Sequence, residues 1–302
     1  MALIGLGAMG RRHARVLGSL KNRFEVVGGF DVRGDACSPC GIPALRSEAD
    51  AIARADVVLV ATPIEAHAET VGRALDAGRH VFVEKPLCAS SAEARTLTGS
   101  GRGARLFVGH SERFNPVVRT LARLIREEPV VAIDLRRVGP CRPSRWGVLV
   151  NLGVHDFDLA AYLGRGELLL RDAVLSGSGV EGSEDLAHVL FSTSGDAVGH
   201  LYVDRTAPAK QRTIELVTAR WSYRGDLLSH RLVRVPRSGG AAADVPLPLD
   251  EPLVAQALAL ADAVDGGPIR EIATGTDGAR AVDLAERAAA VDPRKVALGL
   301  RR

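Results

Sequence analysis

Three apolar residues, Ala2-Leu3-Ile4, run directly into Gly5-Leu6-Gly7-Ala8-Met9-Gly10, and this run constrains the fold more than any other feature. A short strand that enters a GxGxxG turn and leaves as a helix is the opening of a dinucleotide-binding βαβ unit. The three glycines act separately. Gly5 allows the tight turn, Gly7 lets the backbone approach a pyrophosphate, and Gly10 lets the helix pack on its strand. Met9 lies within the same turn, whose unpaired amides and helix dipole hold an anion. A second apolar run, Phe24 to Phe30, ends on Asp31, in the place where a carboxylate accepts bonds from an adenosine ribose. Asp31 favours NAD over NADP, because a carboxylate repels a 2′-phosphate. Arg33, Arg11 and Arg12 are cations that could take such a phosphate. A solvated face is the plainer reading for them, with Arg33 counted beside Asp31 at the cofactor.

Strand-like and helix-like patterns alternate through the first third of the chain. Strands are predicted over Ala2–Ile4, Phe24–Phe30, Asp56–Ala61, Val81–Val83 and Leu106–Gly109, with helices over Gly10–Ser19 and His67–Ala77. After Gly109 the pattern changes. A helix over Val117–Glu127 precedes a strand over Val130–Val138, a Gly/Pro/Arg-rich loop from Gly139 to Gly147, and a helix near His155–Leu163. Successive strands follow over Leu168–Ser176, Leu186–Ser192, Ala197–Asp204 and Thr213–Thr218, with a last pair from Trp221 to Val235. Two helices, Pro252–Val264 and Gly275–Ala290, close the chain. The fold class expected is an α/β Rossmann domain with a doubly wound parallel sheet over residues 1–111. An α+β domain with a large, mostly antiparallel sheet is expected over residues 112–302.

Composition narrows the partners. The chain has 302 residues, 46% of them hydrophobic and 25% charged, and 39 basic against 36 acidic side chains leave a net charge of +3. No block of like charge points to nucleic acid or a membrane surface, and the apolar runs are far shorter than a membrane span. The opening residues show no export signal, so the cytoplasm is expected. Four cysteines suit a reducing compartment, and Cys37-Ser38-Pro39-Cys40 reads as a loop after the second strand rather than a metal or redox pair.

Ala61-Thr62-Pro63, His67 and the run Val81-Phe82-Val83-Glu84-Lys85-Pro86 carry a more specific likeness. With Asn151-Leu152-Gly153-Val154-His155 downstream, the chain resembles the Gfo/Idh/MocA family of oxidoreductases over nearly its whole length. The resemblance implies that Thr62, Pro63, His67 and Glu84 stand at the cofactor, and that Lys85 contacts both cofactor and substrate. It also implies that His155 is the general acid/base. Those types suit the work: a positioned ammonium stabilises a developing alkoxide, and an imidazole exchanges a proton near neutral pH. The family carries Asp where this chain has Asn151. Asn orients the imidazole but brings no charge to stabilise an imidazolium, so Asp156 or Asp158 is the alternative partner. A metal site from His155, Asp156 and Asp158 matches no standard spacing.

Gly109-His110-Ser111-Glu112-Arg113-Phe114-Asn115-Pro116, the segment Val203–Arg212 and Glu251-Pro252-Leu253 look most like the branch that acts on nucleotide-activated sugars, UDP-N-acetylglucosamine 3-dehydrogenases among them. That likeness implies a substrate pocket containing Arg113, Asn115 and Lys210 together with Lys85, Asn151 and His155. It also implies a homodimer or homotetramer, which would cover an open sheet face. The stretch between Ser100 and Leu106 looks shorter than in relatives. A dehydrogenase of a free polyol or inositol is the enzymatic alternative, and a cofactor-binding sensor is the non-enzymatic one.

Overall fold

The computed structural model describes residues 1–34, 36–99, 105–141, 144–177, 183–269 and 271–291. These residues form two compact units, one of Met1–Phe114 with Asp250–Val282, the other of Asn115–Leu249 with Asp283 onward.

The first unit follows the alternation seen in the sequence: β1 (Ala2–Ile4), α1 (Ala8–Ser19), β2 (Gly28–Phe30), α2 (Glu48–Arg54), β3 (Val57–Val60), α3 (Ile64–Asp76), β4 (His80–Glu84), α4 (Ser91–Gly99) and β5 (Leu106–Gly109). Its sheet runs β2-β1-β3-β4-β5 in parallel, so the strand order reverses on either side of β1. Ligands of such sheets bind at that switch point, beyond the carboxyl ends of the strands. Strand alternation builds the two layers. Ala2, Ile4, Val58, Val60, Val81, Val83 and Val108 meet α2, α3 and α4 on one face. Leu3, Leu59, Phe82 and Phe107 meet α1 on the other.

Several details of this unit differ from the expectation. The second strand is only Gly28–Phe30; before it, the Met1 ammonium donates to the Glu25 carbonyl and the Val27 N–H to the Met1 carbonyl without extending the ladder. Helices α2 and α4 are additions to the expected elements, although both carry capping signals. Ser47 Oγ accepts the Asp50 N–H, and Ser90 and Glu93 exchange bonds reciprocally as a capping box. Apart from Arg105 and Leu106, the shortened stretch between Ser100 and Leu106 lies outside the described residues.

The second unit begins with α5 (Pro116–Leu124) and β6 (Val130–Val138). A π-helical turn over Leu149–Gly153 then continues into α6 (Val154–Gly164). The strands β7 (Leu168–Ser176), β8 (Leu186–Thr193), β9 (Val198–Asp204), β10 (Gln211–Thr218), β11 (Trp221–Asp226), β12 (Arg231–Pro236) and β13 (Ala243–Asp244) complete a sheet ordered β13-β12-β11-β10-β6-β9-β8-β7. Every pairing is antiparallel except β6 with β9. Ile133, Leu135, Val189, Leu201, Val203, Ile214 and Leu216 are buried on one face, which α6 covers. The other face carries Asp134, Arg136, His188, His200 and Glu215 together with exposed Leu190 and Val198.

The last elements are α7 (Pro252–Val264), β14 (Ala273–Thr274) and α8 (Gly275–Ala289). Here the expected single boundary after residue 111 is corrected. β14 pairs antiparallel with β5, through Ala273 with Val108 and Thr274 with Phe107. Leu260 and Ala263 of α7 join the core beside α1. An unpaired β5 edge and an uncovered apolar face of α1 draw these residues back to the first unit, which periodicity alone does not encode.

Candidate active site

The glycine turn has the geometry that its spacing required. Gly5 has φ +89°, and a Cβ there would meet the Ala61 carbonyl carbon and oxygen at 2.6 Å, so the ends of β1 and β3 touch through bare backbone. A Cβ on Gly10 would lie 2.0 Å from the Gly5 oxygen. A Cβ on Gly7, in contrast, would project into open space. Gly7 is also the N-cap of α1, with no side-chain cap and no acidic residue in the first turn. Open space at an uncapped helix N-terminus fits a dinucleotide pyrophosphate. Thr62, just beyond β3, supports the fit: among the described residues its buried Oγ1 has no hydrogen-bond partner.

Asp31 is tied to this turn. Its Oδ2 accepts the Leu6 N–H at 2.7 Å, and Arg33 grips both oxygens. That fork, against the opposing effect of partial burial, holds the carboxyl well below the usual carboxylate range.

The strand end that carries Lys85 is built from below. Glu84 is buried, and its Oε1 lies 2.7 Å from His13 Nε2 of α1 while Oε2 accepts the Lys85 N–H at 3.2 Å. Lys85 is half-buried and precedes Pro86 through a cis peptide bond. Glu84, expected at the cofactor, is thus the buttress under Lys85. His13 is a residue that the sequence pattern did not single out, although it lies one turn after Gly10 on the strand-facing side of α1. His67 is likewise a strut: Nδ1 faces the Pro86 carbonyl at 2.8 Å and Nε2 the Thr62 carbonyl at 2.9 Å. Burial pushes its imidazole down, against the two carbonyls, so the neutral ring has one N–H to share between the loops after β3 and β4. Pro63 is exposed at the start of α3.

In the second unit Asn151 lies within the π-helical turn, and His155, half-buried, stands in the first turn of α6. Such turns occur mostly as single insertions in α-helices, frequently at functional sites. Glu184 caps this one: its Oε1 accepts the Leu149 N–H at 3.0 Å and its carbonyl accepts the Val148 N–H at 3.0 Å. Arg205 clamps the segment before it, donating to Asp185 Oδ1 at 2.5 Å, the Trp146 carbonyl at 2.9 Å and Ser183 Oγ at 3.1 Å. Glu184 carried no sequence signal, and Arg205 stood only within the segment Val203–Arg212, its clamping role hidden because it acts across the chain.

Three further side chains expected near the site have these positions. Asp156, the alternative partner for His155, forms a buried fork with Arg137 of β6, at 2.8 Å and 3.0 Å. Asn115, expected to line a substrate pocket, caps α5 by accepting the Val117 N–H and donates to the Leu227 carbonyl, at 5% exposure. Arg113, expected beside it, is equally buried and lies 3.6 Å from Asp277 of α8. Arg113 also lowers the Asp277 carboxyl, against burial, the largest influence on that group. Lys210 is exposed before β10, its Cα packed where a Cβ on Gly139 would stand. Cys37 donates to the Gly29 carbonyl at 3.2 Å beside a short 3₁₀ turn over Ser38–Cys40.

Comparison with known proteins agrees with this geometry. Residues 1–110 match the profile described as an oxidoreductase family with an NAD-binding Rossmann fold, and residues 136–224 match the GFO/IDH/MocA C-terminal domain. UDP-N-acetylglucosamine 3-dehydrogenase of Acidithiobacillus ferrooxidans is 26% identical over 258 residues, spanning 82% of this chain and 80% of its own. The scyllo-inositol 2-dehydrogenase (NAD(+)) of Bacillus subtilis is 24% identical, over 81% of this chain and 78% of its own. Among solved structures, the A. ferrooxidans enzyme superposes with a TM-score of 0.88 at 23% identity, covering 97% of both chains. Levoglucosan dehydrogenase in complex with NADH and levoglucosan superposes at 0.85 and 20%, covering 96% of both. With both domain profiles matched in order and the glycine turn and Lys85 in place, the chain belongs to the Gfo/Idh/MocA family of NAD-binding oxidoreductases.

Proposed function

We propose that this chain moves a hydride between NAD and a secondary alcohol or ketone of a nucleotide-activated sugar, with C3 of UDP-N-acetylglucosamine as the preferred position. The observation that carries this reading is the similarity to UDP-N-acetylglucosamine 3-dehydrogenase over four fifths of both sequences. The similarity to inositol dehydrogenases keeps a free polyol as the second substrate class.

NAD, when bound, supplies the hydride acceptor. Gly5, Gly7, Met9 and Gly10 present the turn that holds its phosphates, and Thr62 offers an unspent hydroxyl beside them. Lys85 stabilises the alkoxide that forms as the hydroxyl loses its proton, the kind of fixed charge that contributes most in such sites. His155 takes that proton, and Asn151, one helical turn before it, orients the ring. In the reducing direction the same groups act in reverse, His155 returning the proton to the alkoxide. Lys210, exposed before β10, and the buried Arg113 are the candidate cations for the diphosphate, with Asn115 beside Arg113 in the sequence.

A homodimer or homotetramer belongs to the same reading, with the open face of the second sheet covered by another copy. Leu190 and Val198 are 51% and 60% exposed on that face.

The test is to incubate the chain with NAD and a panel of UDP-sugars and free polyols, with an aminotransferase present to trap keto products. Reduced nicotinamide formed only with UDP-N-acetylglucosamine supports the proposal. Turnover of inositol without need for the UDP moiety moves the assignment to the polyol class, and silence across the panel with NAD still bound favours a sensor.

A further inference from the structure

Two cysteines share one turn of the first unit. Cys37 has helical backbone angles (φ −75°, ψ −36°) and caps the 3₁₀ turn over Ser38–Cys40. The Cys40 N–H donates to the Cys37 carbonyl at 2.9 Å, and the Gly41 N–H to the Ser38 carbonyl at 3.1 Å. Pro39 sits near the start of the turn, where its missing N–H leaves no bond unmade. Residues three apart eclipse in such a turn, and three rises of about 2.0 Å put their Cα atoms about 6 Å apart. A disulfide spans about 4.4–6.8 Å between Cα atoms, so this backbone holds the pair at bridging distance. The spacing Cys37-Ser38-Pro39-Cys40 alone reads as a loop; its winding into this turn adds the geometry that a redox pair needs.

The two thiols differ in access. Cys37 is 5% exposed, and its thiol donates to the Gly29 carbonyl of β2 at 3.2 Å. Burial pushes that thiol up, and Cys40 beside it adds to the effect. Cys40 is half-buried, donates to the Ala36 carbonyl at 3.6 Å, and lines a cleft of about 360 Å³ with Leu17, Lys21, Phe24 and Ile42. A reagent therefore meets Cys40 first, and Cys37 is the partner that completes a bridge from within. Among the described residues no group of three His, Cys, Asp or Glu could hold a metal ion, which leaves dithiol chemistry for the pair. The Cys37–Gly29 bond also bears on the cofactor. Asp31 lies between Gly29 and Cys37 in the chain, so this one bond pins both ends of the segment that carries it.

We propose that Cys37 and Cys40 form a reversible redox site, oxidised to a disulfide by a soluble low-molecular-weight disulfide, and that this oxidation weakens dinucleotide binding. The Cys40 thiolate attacks one sulfur of the soluble disulfide, whose S–S bond breaks as a Cys40 mixed disulfide forms and one thiolate leaves. Cys37, its proton passed to solvent, then attacks the Cys40 sulfur, and the second thiolate leaves. The chain gives up two protons and two electrons, and the soluble disulfide becomes two thiols. With its hydrogen gone, Cys37 no longer donates to Gly29, and the Asp31 segment loses its pin. The effect on binding rests on the cofactor reading of the glycine turn and Asp31; formation of the disulfide does not.

The test equilibrates the full chain with glutathione disulfide, alkylates the remaining thiols and digests with trypsin. Cleavage after Arg33 and Arg46 leaves both cysteines in the one peptide 34–46. That peptide is expected to carry neither an alkyl group nor glutathione, and dithiothreitol is expected to restore both alkylation sites. Cys37→Ser should accumulate glutathione on Cys40, because the resolving thiol is missing, while Cys40→Ser should leave Cys37 unmodified. A wild-type peptide that keeps two free thiols, or that carries glutathione on each, overturns the site. Titration calorimetry with NAD compares the reduced and oxidised chains, and oxidation is expected to raise Kd about threefold to tenfold, the worth of one hydrogen bond. An unchanged Kd in the disulfide form overturns the link to binding. A reduced chain that binds no NAD removes the cofactor reading instead, whichever form the peptide takes, so the failures are distinct.

Discussion

Asp156→Ala isolates one charge in the interior next to the proposed acid/base. The Arg137–Asp156 fork joins β6 to the first turn of α6 through bonds of 2.8 Å and 3.0 Å, and its side chains are 3% and 2% exposed. Each bond to a charged group is worth about 1.5–3 kcal/mol, and the guanidinium left behind has no water to replace them. Breaking such a buried pair from one side costs about 3–5 kcal/mol, which lowers Tm by about 10 °C in a chain of this size. Removing both charges, as Arg137→Met with Asp156→Leu, avoids stranding either and recovers at least half of the loss. The assay is denaturant unfolding of the wild type, Asp156→Ala, and the set Arg137→Met, Asp156→Leu and their double variant, the last three closed with the wild type as a double-mutant cycle. A single-variant loss under about 1 kcal/mol, or a double variant no better than the worse single, would refute a buried, mutually dependent pair.

Lys85→Met is expected to lower kcat by at least about a hundredfold while dinucleotide binding persists in calorimetry, since the lost group is a charge for the reacting oxygen. Full activity in that variant would remove Lys85 from the chemistry. Asn151→Asp places a carboxylate one turn before His155, where it stabilises the imidazolium, and is expected to increase turnover in the oxidation direction. Steady-state rates across pH 6–9 (roughly the range in which histidine titrates) check this, and no change means that Asn suffices. Asp31, held low chiefly by Arg33, contributes stability that is complete above the ordinary carboxylate value of about 4 and is lost as pH falls below it toward the depressed folded value. Asp31→Asn should therefore flatten the acid side of the stability profile, read as the denaturation midpoint between about pH 5 and pH 2. Leu190→Glu with Val198→Glu on the open sheet face should reduce the sedimenting mass, and an unchanged mass would place subunit contacts elsewhere.

Local features of the sequence were sufficient wherever neighbouring residues make the decision. The bounds of β1, β5, β6, β7 and α7 follow from runs and periodicity that reside within each segment. The glycine turn was legible because steric exclusion at Gly5 and Gly10 is a property of glycine itself, whatever surrounds it. The positions of Lys85 at a strand end and of His155 at a helix start were legible for the same reason. Their chemical roles came from resemblance rather than from spacing.

What local pattern could not decide are the pairings made across long separations in the chain. His13 meets Glu84 across 71 positions, and Asn115 meets the Leu227 carbonyl across 112, so no window of sequence contains both partners. For that reason the approach of Arg113 to Asp277 and the bond from Asn115 to the Leu227 carbonyl were not visible in the sequence, where resemblance alone put both residues in a substrate pocket. The return of Ala273–Thr274 to the edge of β5 was hidden in the same way, because a strand's partner is chosen by geometry and not by its own alternation. Asp31 shows both limits at once: the sequence placed a carboxylate at the cofactor end of β2, and only the tertiary structure showed its lone pairs already filled. Residue type fixes which bonds a side chain can make, and the packed fold fixes which of them are already made.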